Sequence, residues 1–141
     1  MEIRIKYHDN EVNKLEKINV GDWIDLYTAE DVYIRAGEMK LIPLGVSMQL
    51  PEGYEAIIAP RSSTYKKYHV LQSNGLGIID CSYCGDDDMW MFPALAIQPT
   101  HIPKNTRICQ FRILKNQPKF DIVEVNHLGN ANRGGFGSTG D

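Results

Sequence analysis

The chain has 141 residues, with 15 Lys and Arg against 18 Asp and Glu and a formal net charge of −3. A chain of this length builds one hydrophobic core, and its weak negative charge, with no basic block longer than Lys66-Lys67, argues against a nucleic-acid partner. No apolar run approaches the roughly 20 residues of a membrane span and no signal-peptide apolar region opens the chain, so we expect a cytoplasmic protein without a membrane partner.

Apolar residues alternate with polar ones along much of the chain, which predicts a mostly β fold. Ile3, Ile5 and Tyr7 alternate in the first segment, and 7 prolines and 12 glycines interrupt the later segments at the spacing of a β-sandwich or barrel. Residues 10–19 are ambiguous between helix and strand. The predicted strands are residues 2–7, 23–26, 32–34, 46–50, 54–59, 78–79, 89–97 and 107–114.

Residues 60–68, PRSSTYKKY, depart from the strand pattern and favour one or two helical turns capped by Ser62 or Ser63. The unpaired N–H groups at a helix start suit an anion, and Arg61 would stand beside them. An ordinary capped surface turn is the alternative interpretation.

Residues 73–86, SNGLGIIDCSYCGD, place Asp80 and Tyr83 directly after a short apolar strand and a glycine-rich turn. Cys81 and Cys84 form a C-x-x-C pair, but the sequence offers no second pair of zinc ligands, and the motif does not open a helix as a redox motif would. Two small residues in a hairpin are the simpler interpretation. An odd number of cysteines fits a reducing compartment. We interpret the acidic residues 86–88 as a solvated loop.

The last predicted strand, residues 107–114, separates two kinds of side chain. Cys109 and Phe111 occupy one face, whereas Gln110 lies on the other. We therefore expect Gln110 to point away from the core.

The last thirteen residues, GNANRGGFGSTGD, hold five glycines and almost no apolar surface. Such a segment is mobile by itself, so we predict a domain of residues 1–128 followed by a flexible lid of residues 129–141. A glycine-rich backbone that carries Arg133 and two hydroxyl groups can wrap phosphates, although no lysine follows the glycines as in a Walker A loop. A disordered tail is the alternative.

Five stretches, in this order, resemble the five motifs of the trimeric dUTPases and cover residues 20–140. The stretches are DWIDLYTAEDV at 22–32, PRSST at 60–64, NGLGIIDCSYCGD at 74–86, RICQF at 107–111 and RGGFGSTG at 133–140. The resemblance implies a distorted β jelly roll, a homotrimer with active sites at subunit junctions, and Mg²⁺-dependent hydrolysis of dUTP to dUMP and pyrophosphate.

The resemblance also assigns roles around the third motif. It implies that Asp80 activates the water that attacks the α-phosphate, and that Tyr83 stacks on the deoxyribose and excludes a ribose. A β-hairpin would bind uracil through Asn74, Gly77 and Ile79, with glycine required where the base lies against the backbone.

The other motifs are implied to handle the metal and the phosphates. Asp25 would hold Mg²⁺ through a water molecule, and Gln110 would contact the α-phosphate and act in catalysis with Arg133. Because Arg133 directly precedes Gly134, its reach differs from that in many members of the family. Whether Phe136 or residues 89–92, MWMF, close over the base is open. The remaining substrate-binding residues are Arg61, Ser62, Ser63, Phe136, Gly137, Ser138 and Thr139.

Two other functions are compatible with this pattern. A dCTP deaminase shares the fold and the arginine-serine motif, but it generally lacks the tyrosine of the third motif and needs an acid/base group near the base, and residues 56–123 contain no glutamate. A dUTPase of the phage type would also bind a regulatory protein as a partner.

Overall fold

The structure is a computed structural model that describes residues 1–137 and residue 140. Within these residues the chain forms eleven strands and one short helix, so the predicted mostly β fold is confirmed. The elements are β1 (Arg4–Tyr7), β2 (Ile24–Tyr27), β3 (Val32–Ile34), β4 (Met39–Pro43), β5 (Val46–Gln49), β6 (Tyr54–Pro60), α1 (Thr64–Tyr68), β7 (Val70–Gln72), β8 (Gly77–Ile79), β9 (Met91–Ala96), β10 (Thr100–Ile102) and β11 (Arg107–Lys115).

The strands form antiparallel sheets, of which the largest has the order β2-β11-β6-β8. A second sheet has the order β4-β9-β7, and two further pairs join β1 to β5 and β3 to β10. Most of these neighbours are distant along the chain, so the sheets are closed by contacts that no local pattern specifies.

Large side chains from both main sheets fill the core. Trp90 and Phe111 meet edge to face, with their ring centroids 5.2 Å apart, and Phe92 is buried beside them. Alternation explains this arrangement, because every second residue of β9 is buried, and in β11 Cys109 and Phe111 are buried on either side of the partly exposed Gln110. Within residues 89–92, Trp90 and Phe92 therefore belong to the core rather than to a lid.

Three short strands escape the periodic signal in the sequence. β7 and β10 have three residues each, and β4 exposes its first three residues. β3 is equally short and is predicted, so length alone does not explain the difference. Residues 10–19, ambiguous in the sequence, form neither helix nor strand, although Val12 is buried.

Within residues 1–137 and 140, the structure contains no helix with the length and apolar surface that crossing a bilayer requires.

The chain leaves the sheets after Lys115, upstream of the boundary predicted at residue 128. Residues 116–137, called the C-terminal arm below, form no helix or strand and are exposed. The arm nevertheless carries large apolar side chains, and Ile122 is 91% exposed. The exposed apolar residues of the arm are Phe120, Ile122, Val123, Val125, Leu128 and Phe136.

Two valines provide a matched test of the core. Val46 is fully buried, whereas Val20 is 83% exposed. We expect Val46→Ala to lower the free energy of unfolding by about 2 kcal/mol, since it removes two buried methyl groups and leaves a cavity. Val20→Ala should change it by less than about 0.5 kcal/mol. Denaturant titration at equal chain concentration measures both values, and equal effects would contradict this core.

Candidate active site

The sequence-predicted site residues fall into three groups in the fold. The phosphate-side cluster lies where β2, β11 and the end of β6 meet. The β8 loop, residues 74–86, surrounds Asp80, and the C-terminal arm carries Arg133 and Phe136. Ser138 and Thr139 lie outside the described residues.

The phosphate-side cluster is built by strand register. Gln110 on β11 lies opposite Asp25 on β2 and opposite Ala59 on β6. Arg61 follows β6 directly, and its Nε lies 3.0 Å from Oδ1 of Asp25. The Gln110 amide donates to the carbonyl of Pro60 at 3.2 Å. The sheet therefore brings together three of the predicted residues, Asp25, Arg61 and Gln110.

Thr64 ties the second motif to the fourth, a role that the sequence pattern does not reveal. Its side chain is buried, and its Oγ1 accepts the N–H of Arg61 at 3.0 Å and donates to the carbonyl of Ile108 at 2.7 Å. Without the Thr64 hydroxyl, the N–H of Arg61 and the carbonyl of Ile108 would lose these hydrogen bonds. Thr64 thus fixes the chain where Arg61 leaves β6.

The helix predicted after Pro60 is present as α1, and its N-cap residue is Ser63. The Ser63 side chain makes no capping hydrogen bond, so the predicted hydroxyl cap is wrong. Ser62 and Ser63 follow Arg61 at the edge of the phosphate-side cluster, and Ser63 lines a cavity of about 380 Å³ together with Arg61. Their predicted contacts with phosphate stay predictions.

The β8 loop does not form the expected hairpin. β7 pairs with β9 whereas β8 pairs with β6, so the turn between them links two sheets. Gly75 at this turn has φ +72°, which favours glycine. Gly77 is confined by its own chain, because a Cβ there would lie 3.1 Å from the Gln72 amide nitrogen. A side chain at residue 77 would therefore require Gln72 or Ile58 to shift even before a base is bound.

Asp80 follows β8, and its carboxylate is held by its own turn. It accepts hydrogen bonds from the Ser82 hydroxyl at 2.6 Å and from the Ser82 N–H at 2.8 Å. The Ser82 side-chain bond, then the Ser82 backbone bond, and to a lesser extent Cys81 hold the pKa of Asp80 below its ordinary value despite some desolvation. The carboxylate is therefore ionised at neutral pH and available to accept a proton.

Tyr83 is anchored at both ends. Its hydroxyl donates to the carbonyl of Met89 at 2.9 Å, and its N–H donates to the carbonyl of Asp80 at 3.0 Å. The residue is 40% exposed, so a ligand can reach part of it. Asn74 is exposed and Ile79 is half-buried on either side of the same loop.

The three cysteines have separate environments. Cys81 and Cys84 are exposed free thiols. Across residues 1–137 and 140, no group of three or more His, Cys, Asp or Glu side chains could hold a metal ion. Burial, and then the charge of Asp25, raise the pKa of the Cys109 thiol, which therefore stays neutral in the core.

Within one chain the β8 loop and the phosphate-side cluster lie toward opposite ends of β6. Ile79, just before Asp80, pairs with Ala56, whereas Arg61 follows the far end of β6. At about 3.4 Å per residue, this offset corresponds to roughly 17 Å along the strand. A base that acts on a phosphate must lie within hydrogen-bond reach of the attacking water.

The arm stands apart from both groups. Arg133 and Phe136 are exposed, and Phe136 and Gly137 have φ values of 52° and 84°. Positive φ suits Gly137 but is uncommon for phenylalanine.

A divalent cation would find one carboxylate in the phosphate-side cluster. Asp25 is partly exposed between Arg61 and the more distant Arg107, whose Nη1 lies 3.8 Å from its Oδ2. Mg²⁺ retains much of its water and is commonly bound by one or two carboxylates together with substrate phosphates. The single carboxylate therefore fits Mg²⁺ that arrives with a phosphorylated ligand.

A family model described as dUTPase matches residues 23–140. The SPbeta prophage-derived deoxyuridine 5'-triphosphate nucleotidohydrolase YosS of Bacillus subtilis is 58% identical over 140 residues, covering 99% of both chains. A deoxyuridine 5'-triphosphate nucleotidohydrolase of Clostridium acetobutylicum is 33% identical, covering 98% of this chain and 96% of its own.

Solved structures share the fold. A mutant dUTPase of Staphylococcus bacteriophage 80alpha with dUpNHpp has a TM-score of 0.81 at 19% identity and covers 99% of both chains. A mutant dUTPase of phage phi11 of S. aureus, described with a structural Mg(II) ion, has a TM-score of 0.79 at 16% identity and covers 91% of this chain and 99% of its own.

Ser82 gives a direct test of the Asp80 environment. Ser82→Ala removes the hydroxyl donor but keeps the backbone donor, so we expect the pKa of Asp80 to rise part of the way to its ordinary value. Carboxyl ¹³C NMR titration of the variant and the parent measures the shift. Ser73→Ala, at an exposed residue of the same loop region, is the control and should leave the midpoint unchanged. An equal midpoint in Ser82→Ala would contradict the hydrogen-bond assignment.

Proposed function

This chain belongs to the dUTPase family, and from that membership we infer that it hydrolyses dUTP to dUMP and pyrophosphate. The 58% identity over the full chain carries this conclusion. The identity also favours dUTP hydrolysis over deamination of dCTP. Deamination needs an acid/base group near the base, and residues 56–123 contain no glutamate.

We propose that Asp80 is the general base. Its carboxylate is ionised at neutral pH, as that of an ordinary aspartate is, and Ser82 and Cys81 stabilise the charged form further by lowering its pKa. In the proposed step, Asp80 takes a proton from water, the water oxygen bonds to the α-phosphorus, and the bond from that phosphorus to the bridging oxygen breaks. Pyrophosphate leaves with the electron pair of that bond.

We propose that Tyr83 discriminates against a ribose in the substrate. The hydrogen bond to the Met89 carbonyl fixes the phenol, so the ring cannot turn aside without losing it. A ring pressed against the 2′ carbon of the sugar would clash with a hydroxyl there. Asn74, Gly77 and Ile79 would bind uracil, and a base with the wrong donor pattern would leave buried polar groups unpaired.

Mg²⁺ is proposed to act with the phosphates of the substrate. Asp25 would hold it through a water molecule, while Arg61, Ser62, Ser63 and Gln110 bind phosphate oxygens. When bound, the ion would neutralise phosphate charge and orient the chain of phosphates. The donor chemistry of Asp25, a single carboxylate beside cationic groups, supports this assignment.

We propose that the active site is assembled from three copies of the chain. The offset of roughly 17 Å between Ile79 and Arg61 along β6 supports a site in which the β8 loop of one subunit meets the phosphate-side cluster of another. The arm supports the same arrangement, because Phe120, Ile122 and Val125 need a surface to cover them. Arg133, Phe136 and Gly137 would then close over the nucleotide from a third subunit.

Binding of a regulatory protein is retained as a second proposed role. The fold likeness to phage dUTPases supports only a shared framework for such a role, since the identities are low. Retention of an added protein on the immobilised trimer, with the arm-deleted chain as comparison, would test it.

The activity and the base can be tested together. The parent chain should release pyrophosphate from dUTP, little from UTP, and no ammonia from dCTP. Asp80→Asn should lower kcat about 10²-fold or more with a small change in KM, because the carboxamide cannot accept the proton. Asp87→Asn, at an exposed carboxylate of the same region, is the matched control and should retain activity. If Asp80→Asn retained more than a third of the parent turnover, the assignment of Asp80 as the general base would be wrong.

Subunit mixing tests the shared site. An Asp80→Asn chain and a chain lacking residues 130–141 should each be inactive by itself. After subunit exchange, some mixed trimers regain one complete site, with Asp80 from the shortened chain and the arm from the substituted one. Turnover should therefore reappear at a mass of three chains. An active monomer, or no recovery despite demonstrated exchange, would overturn the arrangement.

A further inference from the structure

Two free thiols lie in the β8 loop, next to the proposed base and sugar contacts. Cys81 and Cys84 are both exposed, and only Ser82 and Tyr83 separate them. Where a compartment is reducing, disulfides are usually transient and serve catalysis or redox sensing. The element that follows β8 is a strand, so the pair does not open a helix as a redox catalyst would. Redox sensing is therefore the role that suits its position.

The Cys84 thiol lies at a cavity that the Cys81 thiol does not reach. The cavity has a volume of about 260 Å³ and is bounded by β1, β5 and the end of the β8 loop. Cys84 lines it, together with Arg4 and Lys6 of β1 and with Asp86, whereas Cys81 does not. A small molecule that enters the cavity therefore meets Cys84 first.

The two cations of this cavity can attract carboxylates. Arg4 is only weakly paired, since its Nε lies 3.8 Å from Oε1 of Glu2 and both side chains are largely exposed. Lys6 Nζ donates to the carbonyl of Asp86 at 3.2 Å, which holds the ammonium close to the segment that follows Cys84. An ammonium has three donors, so the Lys6 side chain keeps others for a ligand. An anionic small molecule is thus drawn to the side of the loop where Cys84 lies.

We propose that Cys84 and Cys81 form a reversible disulfide by exchange with a low-molecular-weight disulfide that carries carboxylates. Cys84 attacks one sulfur of the reagent through its thiolate, the S–S bond of the reagent breaks, and one thiolate leaves with the electron pair. Cys81 then attacks the Cys84 sulfur of the mixed disulfide and releases the second thiolate. The two released thiolates take up the two protons of the protein thiols. The chain thereby loses two electrons and the reagent gains them.

The bridge would constrain the residues that it encloses. Ser82 donates to Asp80 at 2.6 and 2.8 Å, and the Tyr83 hydroxyl donates to the carbonyl of Met89 at 2.9 Å. Because disulfide geometry is specific, the segment between the cysteines must adapt to the bridge rather than to these partners. Ser82 and, less strongly, Cys81 lower the pKa of Asp80, and a bridged Cys81 has no S–H left to donate. We expect the bridged chain to lose turnover, a consequence that rests on the proposed function.

Peptide masses detect the bridge independently of activity. The reduced full-length chain is incubated with oxidised glutathione, its free thiols are alkylated in denaturant, and the chain is digested with trypsin. Cys81 and Cys84 share the peptide of residues 68–104, whereas Cys109 lies in the peptide of residues 108–112. The first peptide should escape alkylation, and the second should be alkylated in full because the Cys109 thiol is buried during the incubation. Dithiothreitol should restore alkylation of the first peptide.

Hydrolysis of dUTP is followed in the same samples. The bridged chain should turn over about tenfold more slowly or less, because small displacements of catalytic groups have effects of this size. Dithiothreitol should return the rate to that of the untreated chain.

Four variants separate the steps. Cys84→Ser lacks the first nucleophile, so it should keep the turnover of the reduced parent and retain it in oxidised glutathione. Cys81→Ser should stop at the mixed disulfide, with one glutathione on the peptide of residues 68–104. Lys6→Gln should slow the first step roughly threefold, since it removes a cation from the cavity. Lys66→Gln, at an exposed lysine of α1 outside the cavity, is the matched control and should react at the parent rate.

The outcomes distinguish the disulfide from the proposed activity. If the parent forms no bridge, or if Cys84→Ser loses turnover as fast as the parent does, the proposal is wrong. If the bridge forms but turnover is unchanged, the effect on the site is wrong and dUTP hydrolysis stands. If the bridge forms through Cys84 but the reduced parent does not hydrolyse dUTP, the modification site stands and the proposed function fails.

Discussion

The seven-residue pairing of β6 with β11 is the constraint on which the rest of the molecule depends. β2 pairs with the outer edge of β11 and thereby brings Asp25 opposite Gln110. β8 pairs with the outer edge of β6, and Asp80 directly follows β8. Phe111 in the centre of this pairing closes the core against Trp90. The buried Thr64 hydroxyl fixes one end of the pairing to the chain that follows it.

The alternation of apolar and polar residues predicts the longer strands of this framework. In β11, Cys109 and Phe111 are buried and Gln110 is only partly so, as the alternation indicates. The short strands β7 and β10 are not predicted, and strand order is a property of long-range contacts. The expected hairpin of residues 74–86 is wrong, because that stretch contains one strand, β8, and β8 pairs with the distant β6.

In the candidate site, too, some features could be predicted from the local sequence, whereas others depend on contacts between distant residues. Asp80 and Tyr83 could be selected from a short motif, because their hydrogen bonds are made within a few residues of each of them. The offset between that loop and Arg61 follows only from the register of β6. The role of Thr64 could not be predicted, because the Ile108 carbonyl that accepts its hydroxyl is distant along the chain.

The self-contained turn around Asp80 has a consequence for how the site depends on assembly. The groups that lower the pKa of this carboxylate are Ser82 and Cys81 of the same chain, two residues and one residue away. The groups that set the proton affinity of Asp80 therefore lie within a single chain. In the proposed trimer, association would place the phosphates beside a carboxylate that each chain already holds in its ionised form, so the charge of the base and the geometry of the complex depend on different residues.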